Sequence, residues 1–270
     1  MGGVYLTRSE ALSHMSGSFE RRLVTVVRPA PDGGLQPERA VRGLCREAKS
    51  LRSALEMDCW VSSLLGQIWE QRASAPPVKE LDQAFALGAS MMDQIARYGG
   101  PGARLTLHAV ASVDRGGLGL RCGQLAQELS RQRLPRWARN LGPVTLSGAL
   151  IATVPGDGEA IFLQASGGGR ITHTVSVFVD LRQGGIAKHI ALLGPIGEWE
   201  KEAFGPAGAL GAEGVRVPPA RASERIVAAI RRTDEHEHPF LGETFVELRA
   251  LALARAGWHA RAGAGAAWLN

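Results

Sequence analysis

Four arginines surround a tryptophan within nine residues of this chain. The arginine segment, residues 131–139, contains Arg131, Arg133, Arg136 and Arg139 around Trp137. A guanidinium group pairs with phosphate in a bidentate way, and an exposed indole stacks on a base, a combination found in proteins that bind single strands. The segment therefore predicts a contact with nucleic acid. The alternative is a helix end whose arginines face water while Trp137 packs in the core.

A second set of reactive groups flanks the turn Gly184-Gly185. Asp180 precedes the turn, and Lys188 and His189 follow it. A carboxylate, an amine and an imidazole within reach of one another could bind a ligand or act as an acid/base set. Lys188 and His189 are neighbours on a predicted strand and face opposite sides, so only one of them can join Asp180. The alternative is a structural salt bridge at the hairpin.

Two histidines, His236 and His238, lie in a run of acidic residues before Pro239. Imidazoles and carboxylates suit zinc or manganese, but the sequence offers no third strong ligand nearby. We therefore expect a polar loop between two helices, with no metal and no cofactor.

The half of the chain that contains these groups is rich in β-branched runs separated by glycines. Strands are predicted at 144–154, 159–166, 171–181 and 186–193, joined by short turns, which is typical of an antiparallel meander. Helices at 223–232 and 243–256 follow a connection rich in Gly, Ala and Pro at 205–219.

Alternation along the third strand assigns its two faces. One face carries the larger apolar side chains, namely His173, Val175, Val177, Val179 and Leu181. The other carries Thr172, Thr174, Ser176, Phe178 and Asp180. We expect the C-terminal helices to cover the first face and the second to face water or a cleft.

The preceding half is helical in pattern. Apolar residues recur at spacings of three and four from Pro37 onward, with a possible break near Asp58 and stops at Pro76 and Gly99. The sequence thus predicts an α+β fold: a loosely ordered segment at 1–35, a helical module at 36–142, and an antiparallel four-stranded β-meander with C-terminal helices at 143–270. No fixed repeat period is found.

Composition restricts the partners and the location. The chain contains 27 Arg against 4 Lys, and residues 1–142 carry a net charge of +6 against −1 for the rest, so an anionic partner would be attracted to the helical module. The three cysteines show no Cys-x-x-Cys spacing, which argues against a disulfide framework. We find no signal-peptide pattern and no long apolar run, and we expect a cytoplasmic protein without a membrane partner.

Several segments together resemble an uncharacterised family of actinobacterial proteins. The matching residues are Leu55-Glu56, Ser62-x-Leu64-Leu65-Gly66, Leu134-Pro135-x-Trp137-Ala138, Leu141-Gly142, His173-x-Val175-x-Val177-x-Val179-Asp180 and Gly184-Gly185-Ile186-Ala187-Lys188. The resemblance implies an α+β protein without a known reaction. Leu181, Arg182 and His189 stand where the family pattern has polar His, Asn and Asp residues.

Three functions follow from these observations. Because no nucleophile elbow, phosphate loop or metal signature occurs in the usual spacing, the leading hypothesis is a non-enzymatic binding or regulatory protein with a protein or small-molecule partner. The first alternative is a nucleic-acid-associated protein that uses the arginine segment. The second is a metal-dependent or acid/base enzyme centred on Asp180, Lys188 and His189 or on the two histidines of the loop.

Overall fold

A computed structural model describes most of the chain between residues 37 and 257. The described residues are 37–73, 81–114, 116–142, 144–154, 156, 158–167, 171–204, 213–236, 239 and 241–257. The segment at 1–35, for which we predict loose order, lies outside them. They fall into two compact units, one formed mainly by residues 37–144 and the other by residues 145–166 and 172–257.

The helical unit contains five α-helices and a short 3-10 helix among its described residues. They are α1 (Pro37–Ser50), α2 (Ala54–Ala73), α3 (Leu81–Tyr98), α4 (Gly100–Val113), α5 (Gly117–Glu128) and the 3-10 helix Arg136–Asn140. Helix α4 packs against α1, α2, α3 and α5 and is the centre of the unit. At Gly102 a Cβ atom would lie 2.2 Å from the carbonyl oxygen of Cys45, so the missing side chain allows the close crossing of α4 and α1.

The break between α1 and α2 lies at residues 51–53. The prediction of a break near Asp58 is therefore wrong. Ser53 Oγ accepts a hydrogen bond of 3.1 Å from the amide of Glu56, whose carboxylate accepts one of 2.8 Å from the amide of Arg52. This reciprocal arrangement satisfies amides that a new helix leaves open, so α2 begins at residue 54. Asp58 is then an interior residue of α2 and is 2% exposed.

The β unit is built on an antiparallel sheet of five strands, one more than the sequence predicted. The strands are β1 (Val144–Val154), β2 (Gly158–Gly167), β3 (Thr172–Asp180), β4 (Ile186–Leu193) and β5 (Gly214–Arg216), in the order β4-β3-β2-β1-β5. The first four strands form the expected meander. The extra strand pairs with residues 150–152 of β1 and comes from the stretch that was interpreted as a connection, because three residues are too short to show alternation.

Three helices complete the β unit: α6 (Ile196–Ala203), α7 (Pro219–Glu235) and α8 (Glu243–Arg255). Helices α7 and α8 both pack on β4, and Arg255 of α8 donates a hydrogen bond of 3.0 Å to His173 Nε2. His173, Val175, Val177 and Val179 are at most 4% exposed. The expectation that the C-terminal helices cover the valine face is confirmed for these residues, whereas Leu181, which follows the end of β3, is 45% exposed.

The expectation that the opposite face meets water or a cleft is wrong. Thr174 and Ser176 are 0% and 5% exposed. Helix α6 was not recognised in the sequence, and its Trp199 lies 4.8 Å from Phe162 of β2 between ring centroids. The sheet is therefore covered on both faces, which is why small polar side chains on β3 are buried.

None of the described helices is both long enough and apolar enough to cross a membrane.

Candidate functional site

The arginine segment follows α5 and is held in a fixed conformation. Helix α5 ends at Glu128, and the chain makes two turns before the 3-10 helix Arg136–Asn140. The amide of Ala138 donates to the carbonyl of Pro135 at 3.0 Å, and Leu141 donates to Ala138 at 3.2 Å. Ala138 and Leu141 are 0% and 4% exposed. These two apolar residues hold the segment on the core of the helical unit.

All four arginines of the segment are exposed to solvent: Arg131, Arg133, Arg136 and Arg139. Within the described residues none of them takes part in an ion pair. A guanidinium group without a carboxylate partner keeps its charge and its donors available for an external anion. The segment is thus a concentrated positive surface.

Trp137 is partly buried on the 3-10 helix. Two alternatives followed from the sequence, an exposed indole or an indole packed in the core. Trp137 is intermediate between them, since it is neither fully exposed nor fully buried. In the sequence it stands between Arg136, which is exposed, and Ala138, which is buried.

A fifth cation supports the turn that precedes the 3-10 helix. Arg104 of α4 donates from Nη1 to the carbonyl of Ser130 at 2.9 Å and also to the carbonyl of Gln132. Two backbone carbonyls that would otherwise need water are satisfied by one side chain. No local pattern indicates this residue, since it lies 26 positions before Ser130.

The only histidine of α4, His108, lies on the same part of the unit and is half-buried. Burial, followed by the nearby charge of Arg104, lowers the pKa of His108, although a hydrogen bond to the backbone of Ala138 opposes this change. The imidazole therefore stays neutral at neutral pH. The positive charge of this surface comes from guanidinium groups, which do not titrate in the physiological range.

The residues around the Gly184-Gly185 turn form a structural pair. Lys188 Nζ lies 2.7 Å from Asp180 Oδ2. Asp180 Oδ1 also accepts hydrogen bonds from the amides of Arg182 at 2.9 Å and Gln183 at 3.3 Å. The hydrogen bond from Lys188 is the main reason why the pKa of Asp180 is lowered. The carboxylate thus fixes the turn and stays ionised.

His189 does not join this pair. Its Nδ1 atom lies 3.3 Å from Thr244 Oγ1 at the start of α8, and the amide of Gly242 donates to the carbonyl of Lys188 at 2.8 Å. Thr244 also donates to the carbonyl of Ile190 at 2.5 Å. These contacts close the outer edge of β4, which would otherwise offer free backbone groups to another strand.

The two histidines of the loop are not brought to a common site by the described residues. His236 is exposed at the C-terminal end of α7, and His238 lies outside the described residues. In the part of the chain that the structure describes, no group of three His, Cys, Asp or Glu residues could hold a metal ion.

Sequence reasoning missed two ion pairs and one hydrogen bond that hold α7 and α8 in the β unit. Glu159, 7% exposed, pairs with Arg225 of α7 at 2.6 Å, and burial raises its pKa. Arg249 of α8 forms a bidentate pair with Asp234 of α7. Arg255 reaches His173, as described above. Each pair joins residues 15 or more positions apart, so no local spacing could have indicated it.

Comparisons with protein-family models, curated proteins and solved structures find no match to this chain. The resemblance to an actinobacterial family remains a prediction.

Proposed function

We propose that this chain is a non-enzymatic binding protein whose helical unit binds nucleic acid through the arginine segment. The observation that carries the proposal is the exposure of four guanidinium groups within nine residues, with no ion-pair partner among the described residues.

Phosphate is the anion that this surface fits best. A nucleic acid carries a regular series of phosphates, and each arginine that neutralises one releases condensed counterions, which favours binding. The 3-10 helix and the Arg104 contacts fix the backbone of the segment, so binding need not order a flexible loop.

The groups that could support an enzyme serve other roles in the β unit. Asp180 and Lys188 neutralise each other at the hairpin, and His189 lies against Thr244 at the sheet edge. An acid/base pair needs groups of matched pKa that face a common space. The lowered pKa of Asp180 supports a structural role for this residue.

A cytoplasmic location is part of the proposal. Its support is chemical: Cys45, Cys59 and Cys122 are buried and form no disulfide, as is usual where thiols are kept reduced.

The test is a binding titration with fluorescein-labelled DNA, 20 nucleotides or base pairs long, followed by fluorescence anisotropy at several salt concentrations. The variant replaces the four arginines of the segment by glutamine. We expect the slope of log Kobs against log salt to fall in magnitude by about 2.8 to 3.6, at about 0.7 to 0.9 for each of four lost phosphate contacts.

The control replaces four exposed cations of the β unit by glutamine: Lys201, Arg221, Arg232 and Arg216, of which Arg216 pairs with Glu200. This control lowers the net charge by the same amount as the arginine-segment variant. It should change the slope by less than the value for one phosphate contact, about 0.7 to 0.9. Equal effects in the two variants, or no binding by the unmodified protein at low salt, would overturn the proposal.

A further inference from the structure

Helix α1 carries a row of cations along its solvent side. Arg39, Arg42, Arg46 and Lys49 are all exposed, and their spacing of three, four and three residues places them within an arc of about 80° over about 15 Å. The opposite side is buried and consists of Val41, Leu44, Cys45 and Ala48. We call the row of four cations the α1 basic face.

The basic face is available to an external anion. Its four cations form no ion pairs within the described residues, although α1 also carries Glu38, which is exposed, and Glu47, which is half-buried. Four basic and two acidic side chains leave the helix with a net charge of +2. The bases, and not the acids, are spaced to lie in one row.

Gly43 lies beside this row and is not explained by packing. A Cβ atom at this position would meet no described atom within 4 Å. A glycine inside a helix costs about 0.8 to 1 kcal/mol relative to alanine. No described atom lies within 4 Å of the position that a Cβ atom would take at Gly43. Another molecule can therefore approach the helix backbone closely at this residue.

We propose that the α1 basic face seats against the phosphate backbone of double-stranded nucleic acid, independently of base sequence. The inference rests on the proposed function and names the form of nucleic acid bound. Counted over both strands, a duplex presents a phosphate for about every 1.7 Å of its axis, so a row of cations about 15 Å long can meet phosphates on the two strands that border a groove.

A duplex fits this face better than a single strand does. A straight helix presents its charges in a fixed, nearly linear row, which matches a rigid duplex. Proteins that bind single strands without sequence preference add aromatic side chains on which bases stack. The 14 residues of α1 contain no aromatic residue. The contact is therefore made to phosphates.

Two variants test the inference by anisotropy with a 20-base-pair duplex and the corresponding single strand. Replacing Arg39, Arg42 and Arg46 by glutamine should reduce the salt slope on duplex by about 2.7, at about 0.9 per contact. Gly43→Gln keeps every charge but fills the space beside the row, and we expect duplex affinity to fall at least fivefold. Gly43→Ala adds a single methyl group at the same position and should lower duplex affinity less than Gly43→Gln does.

The outcomes separate this inference from the proposed function. A normal duplex slope in the α1 triple variant, together with a reduced slope in the arginine-segment variant, would overturn the inference and leave the function standing. Tighter binding of the single strand than of the duplex would also overturn it. Binding of neither form by the unmodified protein would overturn both. As a control, circular dichroism of each variant checks that its helices are retained.

Discussion

Replacing Ser176 by aspartate tests whether both faces of the sheet are buried. Ser176 is 5% exposed and lies in register with Phe162 on one side and Ala191 on the other. A carboxylate placed there loses its water and finds no cation on the two residues that flank it in register. The least costly response is to take up a proton, so the pKa of the introduced carboxyl rises in the folded state.

The size of the effect follows from this protonation. At pH 7, neutralising a carboxyl whose ordinary pKa is about 3.9 costs about 4 kcal/mol, at 1.36 kcal/mol per pH unit. Because the pKa is raised in the folded state, the penalty is smallest below about pH 4 and grows as the pH increases. Ser176→Asn has nearly the same shape without the charge, so its stability supplies the baseline at each pH.

The assay is urea unfolding followed by tryptophan fluorescence at several pH values from 4 to 7. We expect the difference in unfolding free energy between Ser176→Asp and Ser176→Asn to grow by about 1.4 kcal/mol per pH unit. A difference that stays within about 0.5 kcal/mol at every pH, the range of ordinary surface substitutions, would show that this face of the sheet meets water.

Three further predictions concern single groups. Gly43→Ala should raise the unfolding free energy by about 0.5 to 1 kcal/mol, since Ala is the better helix former and the added methyl meets no described atom within 4 Å; an unchanged or lower urea midpoint would contradict this. Burial raises the pKa of Cys45 to about 11 and that of Cys122 to about 12, so neither should react with iodoacetamide at pH 8 until urea unfolds the chain, as mass spectrometry can show. Asp180→Asn should lower the free energy of unfolding by about 0.2 to 1 kcal/mol above pH 5. Because the pKa of Asp180 is lowered in the folded state, chiefly by Lys188, this loss should vanish as the pH falls below the ordinary carboxyl range. A loss that stays constant with pH would refute this prediction.

The elements with strong local signals could be read from the sequence. Pro37 marks the start of α1, Gly99 follows α3, and the glycine turns separate the strands of the meander. In each case a residue restricted or freed in its backbone angles stands where the chain must change direction. The capping sequence from Ser53 to Glu56 was also available as a signal and was overlooked.

Elements defined by packing could not be read in this way. Helix α6 has eight residues, which is too short for a clear period, and it is identified by the contact of Trp199 with Phe162. Its absence from the sequence interpretation made Ser176 look like a surface residue. A short amphipathic helix acquires its stability from tertiary contacts, so its own sequence carries little information about it.

In the candidate site, too, some features are visible in the sequence and others depend on the fold. Clustering of arginines around Trp137 is visible in the sequence, whereas their exposure and the support from Arg104 are properties of the folded unit. At the hairpin, strand alternation explained why Asp180 pairs with Lys188 while His189 does not join them. The partner of His189 on α8 lies 55 positions away and had no local signal.

The proposed nucleic-acid contact lies on the helical unit at the arginine segment. It can be located by titrating isotopically labelled protein with a short duplex and following the arginine Nε–Hε and backbone amide signals by NMR. We expect the largest shifts at residues 131–139 and on α1, and small shifts in β1–β5. Saturable binding that shifts signals of the β unit and leaves residues 131–139 unchanged would contradict it.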